Sequence, residues 1–168
     1  MFKNLRNITL FTLILITVYS ETFALSLQTD LIDSNGQINI QYSCKGGDQI
    51  PLVQWQGVPA NSQSLALVLE DPDAPSGLWT HWLIWNIPVT KMQLIPNVGL
   101  MGKNSWGNVR YQGPCPPTGQ HRYYLNLYAL DTNLTLARGS SNAQLQQAMQ
   151  GHVLDQTEVM GVMAAEKQ

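Results

Sequence analysis

A mainly β domain is predicted for residues 25–168 on three observations: short apolar runs that stop at proline, apolar and polar residues alternating with a period of two, and a single stretch with helical spacing. At 168 residues the chain is about one domain long. Residues 1–24 are set apart. Lys3 and Arg6 precede an apolar run from Ile8 to Tyr19, and small residues near Ala24 complete the layout of a cleaved secretory signal peptide. A membrane anchor is the competing reading, but a helix over that run would span only about 18 Å of a hydrocarbon core about 30 Å thick.

Within the domain the elements follow in order. Ile38, Ile40 and Tyr42 alternate with Asn39 and Gln41, which predicts a half-buried strand. Ser64 to Glu70 and His81 to Ile87 are almost continuously apolar and end at Asp71-Pro72 and Pro88, as central strands covered on both faces do. Arg122 to Leu130 is the longest strand candidate, with Tyr123, Leu125, Leu127 and Ala129 on one face and Arg122, Tyr124, Asn126 and Tyr128 on the other. A helix follows. Ser141 or Asn142 can cap it, Leu145, Ala148 and Met149 share a face, and Gly151 ends it. The stretch from His152 to Met163 is helix or strand by periodicity alone.

Composition narrows the function. Without the first 24 residues, seven Lys and Arg stand against ten Asp and Glu, a formal charge of −3. That disfavours nucleic acid and anionic lipid surfaces as partners. No other run reaches the ~18 apolar residues of a membrane span, so the expected location is periplasmic or secreted, with no integral membrane association. Cys44 and Cys115 form an even pair in an exported chain, which favours a disulfide. Two buried free thiols are the alternative, and a metal site lacks the paired C-x-x-C spacing.

Two proline-rich turns concentrate the reactive side chains. Asp71-Pro72-Asp73-Ala74-Pro75 leads through Trp79 to His81, and Gly113-Pro114-Cys115-Pro116-Pro117 leads through Gly119 to His121, Arg122 and Tyr123. Proline fixes φ, so such loops lose little entropy when they hold a ligand. If the turns converge, an Asp-oriented imidazole, a second imidazole and backbone N–H groups would receive a phosphate or carboxylate. Taken singly, a His beside a strand start is most often surface or hydrogen-bonded filler, and Asp71 and Asp73 next to prolines are ordinary turn residues. A weak hydrolase with an Asp71–His81 base is the runner-up. G-x-S-x-G, H-E-x-x-H and Gly-rich phosphate motifs are absent from the sequence, so no enzyme is expected.

The runs Asp71-Pro72-Asp73-Ala74-Pro75, Trp79-Thr80-His81-Trp82 and Tyr111-Gln112-Gly113-Pro114-Cys115-Pro116-Pro117, with Gly119-Gln120-His121-Arg122-Tyr123, resemble the phosphatidylethanolamine-binding protein family, in particular its bacterial Raf kinase inhibitor-like branch. The resemblance implies a large antiparallel sheet packed on a smaller one with a few peripheral helices. It also implies a pocket for small anions or phosphorylated head groups, in which Asp71, His81, Pro117, His121 and Tyr123 bind the ligand and Asp73, Pro75 and Trp79 support the loop. No cofactor or metal is implied. A regulated partner protein, in the manner of an inhibitor or host-interaction factor, and a second copy of the chain are the macromolecular partners left open. Two stretches depart from the family pattern: Gln49 to Trp55, expected near the pocket entrance, and Val162-Met163, where an aromatic residue is usual.

Overall fold

The structure is a computed structural model that describes residues 24–166. The expected signal peptide, apart from Ala24, lies outside the described residues. Among the described residues, seven strands, one 3-10 turn and one α-helix follow in order: β1 (Ser26–Thr29), the 3-10 turn Ile40–Tyr42, β2 (Val53–Gln56), β3 (Ser64–Asp71), β4 (Trp79–Pro88), β5 (Leu100–Met101), β6 (Gln120–Leu130), α1 (Asn142–Met149) and β7 (Val153–Ala164). They form two antiparallel sheets, β1-β2 and β5-β4-β3-β6-β7. This is the large sheet and small sheet that the family resemblance implies.

β3 is central and buried on both faces, as its apolar run predicts. One face carries Leu65, Leu67 and Leu69 against Leu27, Val53 and Trp55 of the small sheet, joined by Trp82, Ile84, Tyr123, Leu125 and Leu127 from the neighbouring strands. The opposite face carries Ala66 and Val68, which with Leu83, Trp85 and Leu130 pack under Leu145 and Met149 of α1. Burying each of those two helix side chains contributes about 1.5–3 kcal/mol. Ser141 starts the helix through a capping box with Gln144. Gly151 follows its end at φ 78°, a backbone conformation that glycine adopts without a Cβ clash.

The expected strand over residues 38–42 is corrected. Ile38 is buried and bridges to Ile32, but Ile40 to Tyr42 make a 3-10 turn with Ile40 57% exposed. Two forces override the alternation. The Tyr42 and Ser43 N–H groups bond locally to the Asn39 and Ile40 carbonyls, and the Tyr42 hydroxyl donates to Asp30 Oδ2 at 2.5 Å. The ambiguous stretch after Gly151 is β7, an edge strand paired along β6, whose alternation is blurred because apolar Leu154 and Met160 face outward while polar Asp155 and Thr157 are half-buried.

Candidate functional site

The two proline-rich turns converge. β4 and β6 both pair antiparallel with β3, so they run in the same direction and begin at the end of the sheet where β3 finishes. Asp71 ends β3, while His81 and His121 stand near the starts of β4 and β6. Three adjacent strands therefore deliver one carboxylate and two imidazoles to one end of the sheet. His152, by contrast, pairs with Asp131 beyond the far end of β6.

A β-bulge aims His81. Leu69 lies opposite Trp82 and Glu70 opposite Thr80, which makes His81 an extra residue in β4. Regular alternation would put it on the helix-covered face with Leu83. The bulge instead brings its ring edge-on to Tyr123 of the inner face, with centroids 5.4 Å apart. Its Nδ1 lies 2.8 Å from the Gln112 carbonyl and 3.1 Å from that of Gly113. Carbonyls only accept, so the neutral ring carries its proton on Nδ1 and presents a lone pair at Nε2. That Nε2 is buried and has no hydrogen-bond partner. Burial, opposed by the two carbonyls and the nearby Asp71 charge, holds the His81 pKa below the usual imidazole value.

His121 is oriented by a carboxylate. Its Nδ1 donates to Asp71 Oδ2 at 2.7 Å, and both side chains are nearly inaccessible. The other oxygen, Asp71 Oδ1, accepts the Asp73 N–H at 2.8 Å, a local turn that fixes the carboxylate at the mouth of the Pro72–Pro75 loop. Asp73 does not line the pocket. It receives the Arg122 backbone N–H, Nε and Nη2 at 2.7–2.9 Å, tying the first loop to the start of β6. The Arg122 hydrogen bonds hold the Asp73 carboxyl well below the ordinary range.

Above these groups lies a pocket of about 290 Å³. Asp71, Pro75, Trp79, His81, Pro117 and His121, all singled out from the sequence, line it. Tyr123 is completely buried beneath the two imidazoles rather than in the wall, stacked against His121 with centroids 6.4 Å apart. Its hydroxyl has no hydrogen-bond partner, and burial followed by the Asp71 charge pushes its pKa above the normal tyrosine value.

Ala74, Ser76, Trp106 and Cys115 complete the lining and were not assigned to it from the sequence. Trp106 stands 5.1 Å from the His81 ring and 5.2 Å from that of Trp79. Its position depends on Asn104, which is 3% exposed, donates to the Arg110 carbonyl and Gln112 Oε1, and accepts the Trp106 and Asn108 N–H groups. A tryptophan in the polar Asn104-Ser105-Trp106-Gly107-Asn108 turn is the available sequence signal. Neither departure from the family pattern reaches the pocket wall: residues 49–52 line a different cavity, and Met163 pairs with His121 across β6 and β7.

The second loop is pinned from behind. Cys44 and Cys115 form a disulfide with Cα atoms 5.5 Å apart. The Tyr111 hydroxyl donates to the Tyr42 carbonyl, and the Gly113 N–H to Asp48 Oδ1. At Gly113 a Cβ would collide with the Tyr42 carbonyl, so only glycine permits this approach. Among the described residues no cluster of three His, Cys, Asp or Glu side chains is placed to hold a metal ion, and no helix is long and apolar enough to cross a membrane.

Comparison with known proteins agrees with the fold. The phosphatidylethanolamine-binding protein family model matches residues 28–164. A UPF0098 protein of Methanothermobacter thermautotrophicus is 42% identical over 147 residues, covering 82% of this chain and 97% of its own. A second, PH1269 of Pyrococcus horikoshii, is 40% identical over 151 residues, covering 82% and 76%. Among solved structures, CT736 of Chlamydia trachomatis superposes with a TM-score of 0.79 at 35% identity, covering 86% of this chain and 99% of that one. YbcL of E. coli, described as a member of the mammalian PEBP family, does so with a TM-score of 0.78 at 27% identity, covering 86% and 100%.

Proposed function

Because the chain belongs to the phosphatidylethanolamine-binding protein family, we propose that it is an exported binding protein for a small anion or phosphorylated head group, held between His81 and His121. Family membership supports a ligand-binding role. One observation carries the finer reading: the buried His81 Nε2, on a residue that lines the pocket, has no partner beside the Asp71–His121 pair. Orphaned polar groups of this kind cost about 1–3 kcal/mol each, and a ligand oxygen can recover that cost at Nε2. Neutral Nε2 accepts from a protonated oxyacid, or takes up a proton and donates. The apolar faces of Trp79, Trp106 and Pro117 supply the wall.

Calorimetry with inorganic phosphate and O-phosphorylethanolamine tests the reading. Saturable binding is expected in the parent chain, with loss of at least tenfold in His81→Ala and Asp71→Ala while circular dichroism still shows a folded domain. Unchanged affinity in both folded variants refutes it. The reading is of a binding protein, not an enzyme. Turnover of p-nitrophenyl phosphate that disappears in His81→Ala would replace it with the hydrolase alternative.

Export is part of the same proposal, supported by the Cys44–Cys115 disulfide. Amino-terminal sequencing of the protein recovered outside the cytoplasm should begin after Ala24. A second reading, regulation of a protein partner, is favoured by Leu78 and Trp106, which are 58% and 43% exposed near the site. Partner capture lost in Trp106→Ala but retained in His81→Ala would select it.

A further inference from the structure

On a different part of the molecule, the loop before β2 and the loop between β4 and β5 enclose a cavity of about 740 Å³ that shares no lining residue with the Asp71–His81–His121 pocket. We infer that this cavity is a second ligand site, for an amphipathic monoanion with a slender apolar body, such as a medium- or long-chain carboxylate, whose head group is met by Arg138.

The walls are mainly apolar. Ile50, Leu52 and Leu94 contribute from the loops, Trp82 and Ile84 from β4, and Met101 from β5. The volume falls within the roughly 300–1,000 Å³ of small-molecule sites. Ile50 and Leu52 stay 60% and 44% exposed, while the cavity extends inward to Trp82 and Ile84, at 1% and 3%. Exposed apolar side chains grouped around a concavity mark a place that an apolar ligand covers. Its depth suits a chain that can enter, whereas a flat protein surface would stop at the rim.

Charge selects the head group. Asp30 and Arg138 are the charged residues of the lining. Asp30 is already engaged, with Oδ1 accepting the Leu52 N–H at 2.8 Å and Oδ2 accepting the Tyr42 hydroxyl. Arg138 is exposed and pairs with no acidic side chain among the described residues. Its guanidinium fork is therefore free to take a carboxylate in two parallel hydrogen bonds. A further donor stands in the lining residue Trp82, whose buried indole Nε1–H has no acceptor within the protein.

The test uses sodium dodecanoate and dodecyltrimethylammonium bromide, both below their micelle thresholds, with the full domain and the variants Arg138→Gln and Ile50→Glu, which change exposed positions. Saturable one-to-one binding of dodecanoate is expected by calorimetry, at least tenfold tighter than the cationic probe and weakened at least tenfold by either substitution. His81→Ala should leave it unchanged within twofold, and Arg138→Gln should leave phosphate binding unchanged, so this site and the anion pocket succeed or fail separately. Absence of saturable dodecanoate binding, equal affinity for the two probes, or indifference to both substitutions overturns the proposal. A dimer seen in sedimentation equilibrium and lost in Ile50→Glu would also overturn it, by assigning this face to a second copy of the chain.

Discussion

His121 Nδ1 and Asp71 Oδ2 meet at 2.7 Å across the neighbouring strands β6 and β3, in a contact from which water is almost wholly excluded. Replacing Asp71 by Asn keeps the shape but removes the anionic acceptor that sets which ring nitrogen of His121 carries the proton. The expected results are a stability loss of about 1–3 kcal/mol in urea unfolding and at least tenfold weaker phosphate binding. An unaltered urea midpoint would contradict the structural role.

Anion binding and stability should both depend on the protonation of His81. Its folded pKa lies below the ordinary value of 6.5, chiefly because of burial. Above that ordinary value both states are neutral and the full stability is present. As the pH falls the unfolded chain takes the proton first, so stability declines by at most about 1.4 kcal/mol per pH unit until the native imidazole itself protonates. Urea midpoints between pH 8 and 5 should show this decline, flattened in His81→Phe. Sulfate, which does not titrate in this range, should bind more tightly as the pH falls. A flat sulfate profile would dissociate His81 from the ligand.

The disulfide closes a separation of 71 residues. Chain entropy alone gives it about 4 kcal/mol of stabilisation. The double variant Cys44→Ser, Cys115→Ser should lose stability on that order in guanidinium unfolding. A thiol titration of the denatured, unreduced parent should find no free thiol, and two thiols would refute the pairing.

Asn104→Ala should act on the pocket from outside it. The substitution removes two donated and two accepted hydrogen bonds that hold the 104–112 turn, so Trp106 and the Gln112 carbonyl lose their fixed positions beside His81. Phosphate affinity is expected to fall at least threefold, together with a change in the Trp106 contribution to fluorescence. An identical affinity would show that the turn does not position the site.

β3, β4 and β6 were legible in the sequence because burial on both faces, or strict alternation, leaves a pattern that local chemistry does not disturb. Residues 38–42 show the limit. Alternation there reflects Ile38 and Tyr42 reaching inward from an irregular segment, and Ile40 faces outward. The reactive side chains were legible as types; spacing left their convergence open, and the family resemblance implied it. Convergence depended on β3 lying between β4 and β6, a pairing fixed by contacts distant in the chain. Nor could spacing reveal the bulge at His81, since an extra residue in a strand is visible only against its partner. Trp106 was missed because a loop residue is placed by its anchor, here Asn104.

The strand order also sets a sequence of events. Asp71 and His81 are ten residues apart and belong to one hairpin, whereas Asp71 and His121 are 50 residues apart. By logarithmic loop scaling, closing the second distance costs about 1.4 kcal/mol more chain entropy than the first. The β3–β4 hairpin can therefore form early carrying Asp71 and His81, but the Gln112 and Gly113 carbonyls that orient the His81 ring belong to the later segment, and His121 arrives only when β6 docks along β3. If the pocket binds anions as proposed, that affinity arises late in folding, so ligand present during refolding should speed nothing before β6 docks and should instead retard unfolding of the completed sheet.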